Sequence, residues 1–254
     1  MTMTHASAGD SLMIESTYCG PPESAHGGVA VGRFAQLVDA GPVEVRLLGP
    51  PPLDTPMEAR PEPDGAVLVT GPGGDVARVR ALSQPLDLAP FDRVAAKEVE
   101  SAAADYLHDA AENGHAFPTC FACGPDRHDT SALRQFSGRA SDGEMVARFG
   151  VPGEGPLPDW LSLAGLDCPS GHTVFNLADE PPGVVVLGSM QCQLAAEAHA
   201  GVDYQARGRL VSVDGRKLTS EVAMLAPDGT TVAEARAIWI AVDPALFASA
   251  APAD

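Results

Sequence analysis

The same plan is written twice along this chain. In the first half, HGGVAVGRFAQLVDA (26–40) places Val29, Phe34, Leu37 and Val38 mainly on one helical face, and Gly41-Pro42 stops it. Strand-like runs follow at 43–49, 57–63, 66–71 and 75–82, with a PPPLDTP corner after the first and Asp64-Gly65 and Gly73-Gly74 where hairpin turns belong. About 130 residues later the order recurs. A helical segment at 158–168 precedes the runs 184–195, 204–213, 217–225 and 231–242, and Asp214-Gly215 and Asp228-Gly229 take the turn positions. A long helix followed by an antiparallel meander predicts a sheet wrapped around that helix, since alternation such as VEVRLL leaves one dry and one wet face. The expected fold is α+β, with two antiparallel sheets, each around its own helix, joined edge to edge. The boundaries are an N-terminal unit at 11–92, a linking helix within 93–116 and a C-terminal unit at 117–245. The ends, 1–10 and 246–254, read as frayed.

Charge narrows the function. The chain has 34 acidic against 16 basic side chains, a net −18, which excludes nucleic acid as a partner because phosphate binding needs clustered cations. The start has no basic and apolar leader, and no apolar run approaches the roughly 20 residues of a membrane span. Five cysteines, odd and sparse, fit a reducing cytoplasm better than a disulfide framework.

One segment breaks local rules. WLSLAGLDCPSGHTV (160–174) is apolar apart from Asp167, and Pro169 follows two residues on. A buried, unpaired carboxylate costs several kcal/mol, roughly, and proline removes an amide donor from a helix. Two readings stand: a helix that ends at Pro169 with Asp167 on its wet side, or a functional site.

Several pieces together resemble the hotdog-fold thioesterase superfamily, in a PaaI-like, double-hotdog arrangement. CFACGPDR (120–127) resembles the family's CFxCG entry, LDCPSGH (166–172) its LDxAxGW helix, His26-Gly27-Gly28 the HGG that opens the equivalent helix, and VEVRLLGPPPLDTP its first strand and corner. The resemblance implies hydrolysis of an acyl thioester, acyl-CoA or carrier-bound, without a cofactor. It places a carboxylate from one helix opposite the amides at the start of another, where a helix N-terminus stabilises an oxyanion. The two halves divide these roles. Nine residues after His26 stands Ala35, not an acid; nine before Asp167 stands Pro158, followed by Asp159 and Trp160 where glycines belong. One composite site is therefore implied, with His26, Gly27, Gly28 and Asp167 catalytic.

Arg33, Trp160, Arg216 and Lys217 are candidate substrate contacts, and Trp160, Phe34, Met190 and Met224 are candidates to line or close an acyl tunnel. Cys120-x-x-Cys123 with His128, and Cys168 with His172, has the flavour of a zinc site, but lacks a second tight pair, so no metal and no bridge are expected there. Cys168 is a poor nucleophile beside Asp167, since a nearby carboxylate raises a thiol pKa. The alternatives are a non-catalytic acyl or acyl-CoA binding protein, and a hydratase, whose Asp-plus-His motif is not visible. A homodimer, through a sheet edge or back to back, is the expected assembly.

Overall fold

The computed structural model describes residues 12–39, 41–179 and 183–243; the ends read as frayed lie outside these. In chain order the elements are α1 (Gly27–Ala35), β1 (Val43–Leu47), β2 (Glu58–Pro61), β3 (Val67–Gly71), β4 (Gly74–Ala81), α2 (Ala96–Asn113), β5 (Gly138–Arg139), β6 (Met145–Phe149), α3 (Asp159–Ala164), α4 (Asp167–Leu177), β7 (Val185–Leu194), β8 (Tyr204–Asp214), β9 (Lys217–Leu225) and β10 (Thr231–Ala241).

In place of two sheets, the ten strands make one, in the order β2-β3-β4-β1-β7-β10-β9-β8-β6-β5. Outward from β1 come β4, β3 and β2; outward from β7 come β10, β9 and β8, so corresponding strands of the two halves hold mirrored places. The halves meet where β1 pairs antiparallel with β7, Val43 opposite Cys192 and Val45 opposite Met190. All four of these apolar side chains are buried, which fixes the register.

The helices pack together as closely as their backbones allow. A Cβ on Gly28 would lie 2.8 Å from the Ala164 carbonyl oxygen, and one on Gly32 would lie 2.3 Å from that of Trp160. The offset that carries His26, the residue capping α1, onto Pro158, capping α3, also carries Gly28 onto Trp160 and Gly32 onto Ala164. Each contact is therefore the image of the other, the signature of a two-fold relation between the halves.

The helical segment at 158–168 is longer than the sequence suggests and is broken. It ends at Gly165, where a Cβ would fall 2.5 Å from the Phe149 ring, and a second helix starts at Asp167. Pro169 thus falls in the first turn of α4 rather than ending a helix, at a position whose N–H would have no intrahelical acceptor. Asp167, first in α4, places its charge at the favourable end of the helix dipole.

On the other face of the sheet, the segment before α2 is tied down by polar contacts. The Val94 amide and carbonyl bond the Gln205 side chain at 3.0 and 2.9 Å, Arg209 donates to the Ala89 and Pro90 carbonyls, and Phe91 packs on Ala223 and Leu225. No helix among the described residues is long and apolar enough to cross a membrane.

Candidate functional site

Asp167 lies in a groove of about 570 Å³ where the start of α1, the start of α4, residues 115–123 and the seam strands converge. It is 3% exposed, so the reading that puts it on a wet helix face is wrong. The sheet and α1 close over the start of α4 and leave only the groove open to it. Its Oδ2 accepts the Gly28 N–H at 2.7 Å and stands 3.1 Å from His26 Nε2. Its Oδ1 is buried without a hydrogen-bond partner.

His26 caps α1. Its Nδ1 accepts the Val29 N–H at 3.3 Å, which leaves the ring proton on Nε2, facing both Asp167 and the Cys168 sulfur at 3.2 Å. Gly27 N–H, the first amide of the helix, bonds to no group among the described residues. Gly27 lines the groove beside the acid; a Cβ there would come within 3.2 Å of Asp167 Oδ2.

Electrostatics here pull in opposite directions. Burial pushes the Asp167 carboxyl up, and the His26 ring and Gly28 N–H only partly offset it, so its pKa is raised. Burial opposes charge on His26, but the Asp167 carboxylate and the Cys120 thiol outweigh it, so its pKa is raised too. Both shifts favour proton retention by the pair.

The sequence left Gly28 as a free oxyanion donor; the structure spends its amide on Asp167. Helix α1 approaches α4 so closely that no carbonyl fits between the two groups, and Gly27 is the amide that stays open. Arg33 and Trp160 do not line the groove. Trp160 is buried against Tyr18, with the Arg33 guanidinium 4.3 Å above its ring, because α1 turns Arg33 toward the α3 side. Phe34, Met190 and Met224 are fully buried in the core and line no tunnel there. Arg216 is exposed on the β8–β9 turn, its carbonyl accepting the Ala241 N–H at 2.8 Å. Lys217 sits with Glu44, Arg46, Arg78 and Arg80 in a second, smaller groove of about 480 Å³ that shares Leu47, Leu48, Gly188 and Ile240 with the first.

Residues that sequence reasoning left out of the site also face the groove. Cys120, Cys123, Cys168, His115 and His172 line it, and all five cysteines are free thiols. The Cys120 and Cys168 sulfurs are 4.0 Å apart, and Cys123 Sγ is 3.9 Å from His115 Nε2. The Cys123 and Cys168 thiols stabilise the Cys120 thiolate and hold it well below the usual thiol range, while their own thiols are raised in turn. Burial pushes the His172 ring down to about 3, so it is neutral. Cys168 and His172 stand one helical turn apart, a signal present in the sequence; that His115 joins them depends on α2 packing, which it does not spell out. His128 is exposed and stands apart from this cluster.

No protein-family profile matches the sequence, and no characterised protein is significantly similar to it in sequence. Solved structures are similar in fold. The tesB protein of Mycobacterium avium subspecies paratuberculosis aligns with a TM-score of 0.58 at 12% identity, over 88% of this chain and 90% of that one. The acyl-CoA thioesterase II TesB2 of Mycobacterium marinum aligns at 0.52 and 13%, over 86% and 90%. A conserved protein with a hot dog fold from Alicyclobacillus acidocaldarius aligns at 0.56 and 11%, over 96% and 100%. At such identities the likeness is one of architecture, and it settles that architecture: this chain has the α+β hotdog fold of the thioesterase structures.

Proposed function

We propose that the protein hydrolyses acyl thioesters at one composite site, with Asp167 as the acid–base or nucleophilic carboxylate and Gly27 as the oxyanion donor. The observation that carries this is the meeting, inside one groove, of a carboxylate from the second half and the capped start of a helix from the first. Asp167 Oδ1 is free to accept a water proton or to attack the carbonyl carbon. Gly28 N–H holds Oδ2, and the His26 ring stands 3.1 Å from the same oxygen, which together fix the carboxylate's orientation. A thioester oxygen resting on Gly27 N–H would meet the positive end of the α1 dipole as negative charge develops on it.

The mirrored strand order and the reciprocal α1–α3 contact support a double hotdog, with units at 11–92 and 117–245 and the linking helix in 93–116. The mirror place is filled by Trp160 in the position equivalent to Gly28, so one site remains. Acyl-CoA is the proposed substrate class, with a carrier-bound acyl group as the alternative. The groove of Arg46 and Lys217, with Arg78 paired to Glu62 and Asp64 and Arg80 paired to Glu44, adjoins the acid groove and is where its phosphates would sit. Five free thiols fit the reducing cytoplasm.

One observation favours the second reading, a non-catalytic acyl binder: Asp167 Oδ2 is already bonded to Gly28 N–H, with His26 Nε2 3.1 Å away. Hydrolysis assays over a series of acyl-CoA chain lengths separate the two. On the hydrolase reading, Asp167→Asn lowers kcat by about 10²–10⁴ and leaves binding largely intact. Binding without turnover, unchanged in that variant, would leave the binder.

A further inference from the structure

Cys120-x-x-Cys123 has no second tight pair near it in the sequence, but the fold brings one to it. Helix α4 presents Cys168 and His172 on one face, one turn apart, and docks that face against the C-x-x-C segment. Cys120 and Cys168, with His26, place their ligand atoms within 4.8 Å of one another, and so do Cys123 and His172, with His115. The C-x-x-C turn, closed by the Gly124 N–H donating to the Cys120 carbonyl at 3.0 Å, carries both cysteines into the same groove, so the two groups adjoin. Cys120, Cys123 and Cys168 are at least nine-tenths buried, as is His172.

We infer that Cys120, Cys123, Cys168 and His172 form a binding site for one zinc ion. Three thiolates and an imidazole are a closed, structural ligand set, and in a zinc tetrahedron adjacent ligand atoms stand roughly 3.3–3.8 Å apart. The 4.0 Å between the Cys120 and Cys168 sulfurs needs an adjustment of only a few tenths of an ångström.

Three histidines border the cluster, and their hydrogen bonds choose among them. His26 Nδ1 accepts the Val29 N–H, and His115 Nδ1 accepts the Phe117 N–H at 3.1 Å. Each ring therefore carries its proton on Nε2, the nitrogen that faces the sulfurs. On His115 that nitrogen is also held by the Tyr106 hydroxyl at 2.7 Å. The His172 Nδ1, by contrast, is buried with no hydrogen-bond partner, so this ring has an uncommitted lone pair. With zinc bound, His26 Nε2–H is left as a donor to the Cys168 thiolate at 3.2 Å, an outer partner of the kind that orients metal ligands. The ion would then fix the start of α4, and Asp167 with it. The inference holds whether or not the groove hydrolyses thioesters.

The test is elemental analysis of the full chain, purified under reducing conditions without chelator, followed by cobalt(II) substitution. About one equivalent of zinc per chain is expected, and cobalt should give the sulfur-to-metal charge-transfer band and the intense visible bands of tetrahedral thiolate coordination. Cys123→Ser and His172→Ala should lose the metal and the bands, whereas His115→Ala and Cys192→Ser keep both. The inference is overturned if the unsubstituted protein, with its thiols reduced, neither contains zinc nor takes up cobalt with those bands. Retention of the metal by Cys123→Ser or His172→Ala would equally overturn the ligand set.

Discussion

A methyl group on Gly28 would sit 2.5 Å from Asp167 Cβ and 2.8 Å from the Ala164 carbonyl oxygen, both on fixed backbone or next to it. On Gly27, one residue earlier, the nearest atoms would be 3.2 Å away, and they are side-chain atoms of Asp167 and Leu187. The two glycines are thus held by different needs. Gly28→Ala should cost about 1–3 kcal/mol of stability, the usual range for overpacking, seen as a lower denaturation midpoint at unchanged m. Gly27→Ala should leave the midpoint nearly in place and lower kcat, since it crowds the open amide beside the carboxylate. Equal loss of stability in both variants would show that the two positions serve packing alone. The His26-Gly27-Gly28 run and Asp167 were legible in the sequence because a nine-residue spacing could be counted. The Gly28 N–H to Asp167 bond was not, because it depends on how far α1 slides onto α4, and that distance is set by the Gly32–Trp160 contact.

Among the elements, the hairpins were the easiest to read. Asp214-Gly215 joins β8 to β9 and Asp228-Gly229 joins β9 to β10, with Gly215 at φ 56° and Gly229 at φ 90°, conformations that glycine adopts without strain. The break between α3 and α4 could not be read, since it comes from the Phe149 ring pressing on Gly165 across the core. The outer face of β8–β10 was equally hidden. There Glu221, only 8% exposed in its side chain, bridges Arg209 at 3.0 Å and Arg236 at 2.6 Å, and both arginines reach on to carbonyls of the segment before α2. Glu221→Gln would remove the carboxylate partner of Arg236 and leave Arg209 with the Glu144 carboxylate alone, at 3.4 Å. Arg236 is partly exposed and screened by water, so the expected loss is about 1–3 kcal/mol rather than the larger cost of breaking a fully buried pair. Urea unfolding of the variant against the parent measures it, and a change below a few tenths of a kcal/mol would mean that the network adds nothing.

At the scale of the whole molecule, the repeat in the sequence became one ten-stranded sheet because equivalent strands β1 and β7 pair with each other. Its β2 edge carries Glu58, Arg60 and Pro61, features that discourage pairing with another chain, so a homodimer through that edge is disfavoured. The seam itself joins the two halves. It combines the β1–β7 pairing, the bare-backbone contact of α1 with α3, and a groove lined by residues of both sides, His26 and Gly27 from one and Asp167 from the other. With the second tryptophan, Trp239, replaced by Phe, Trp160 reports on it directly, since Tyr18 stacks edge-on against its ring and Arg33 lies over it, both from the first half. Far-ultraviolet circular dichroism reports on the helices and strands of both halves together. If the halves cannot stand apart, tryptophan fluorescence and circular dichroism should trace a single, coincident transition in denaturant, as a two-state protein requires. Two separated transitions, or a fluorescence change that precedes loss of secondary structure, would show that the seam opens first and that each half holds its own fold. In that event the site, which needs both halves, would be lost before either half unfolds.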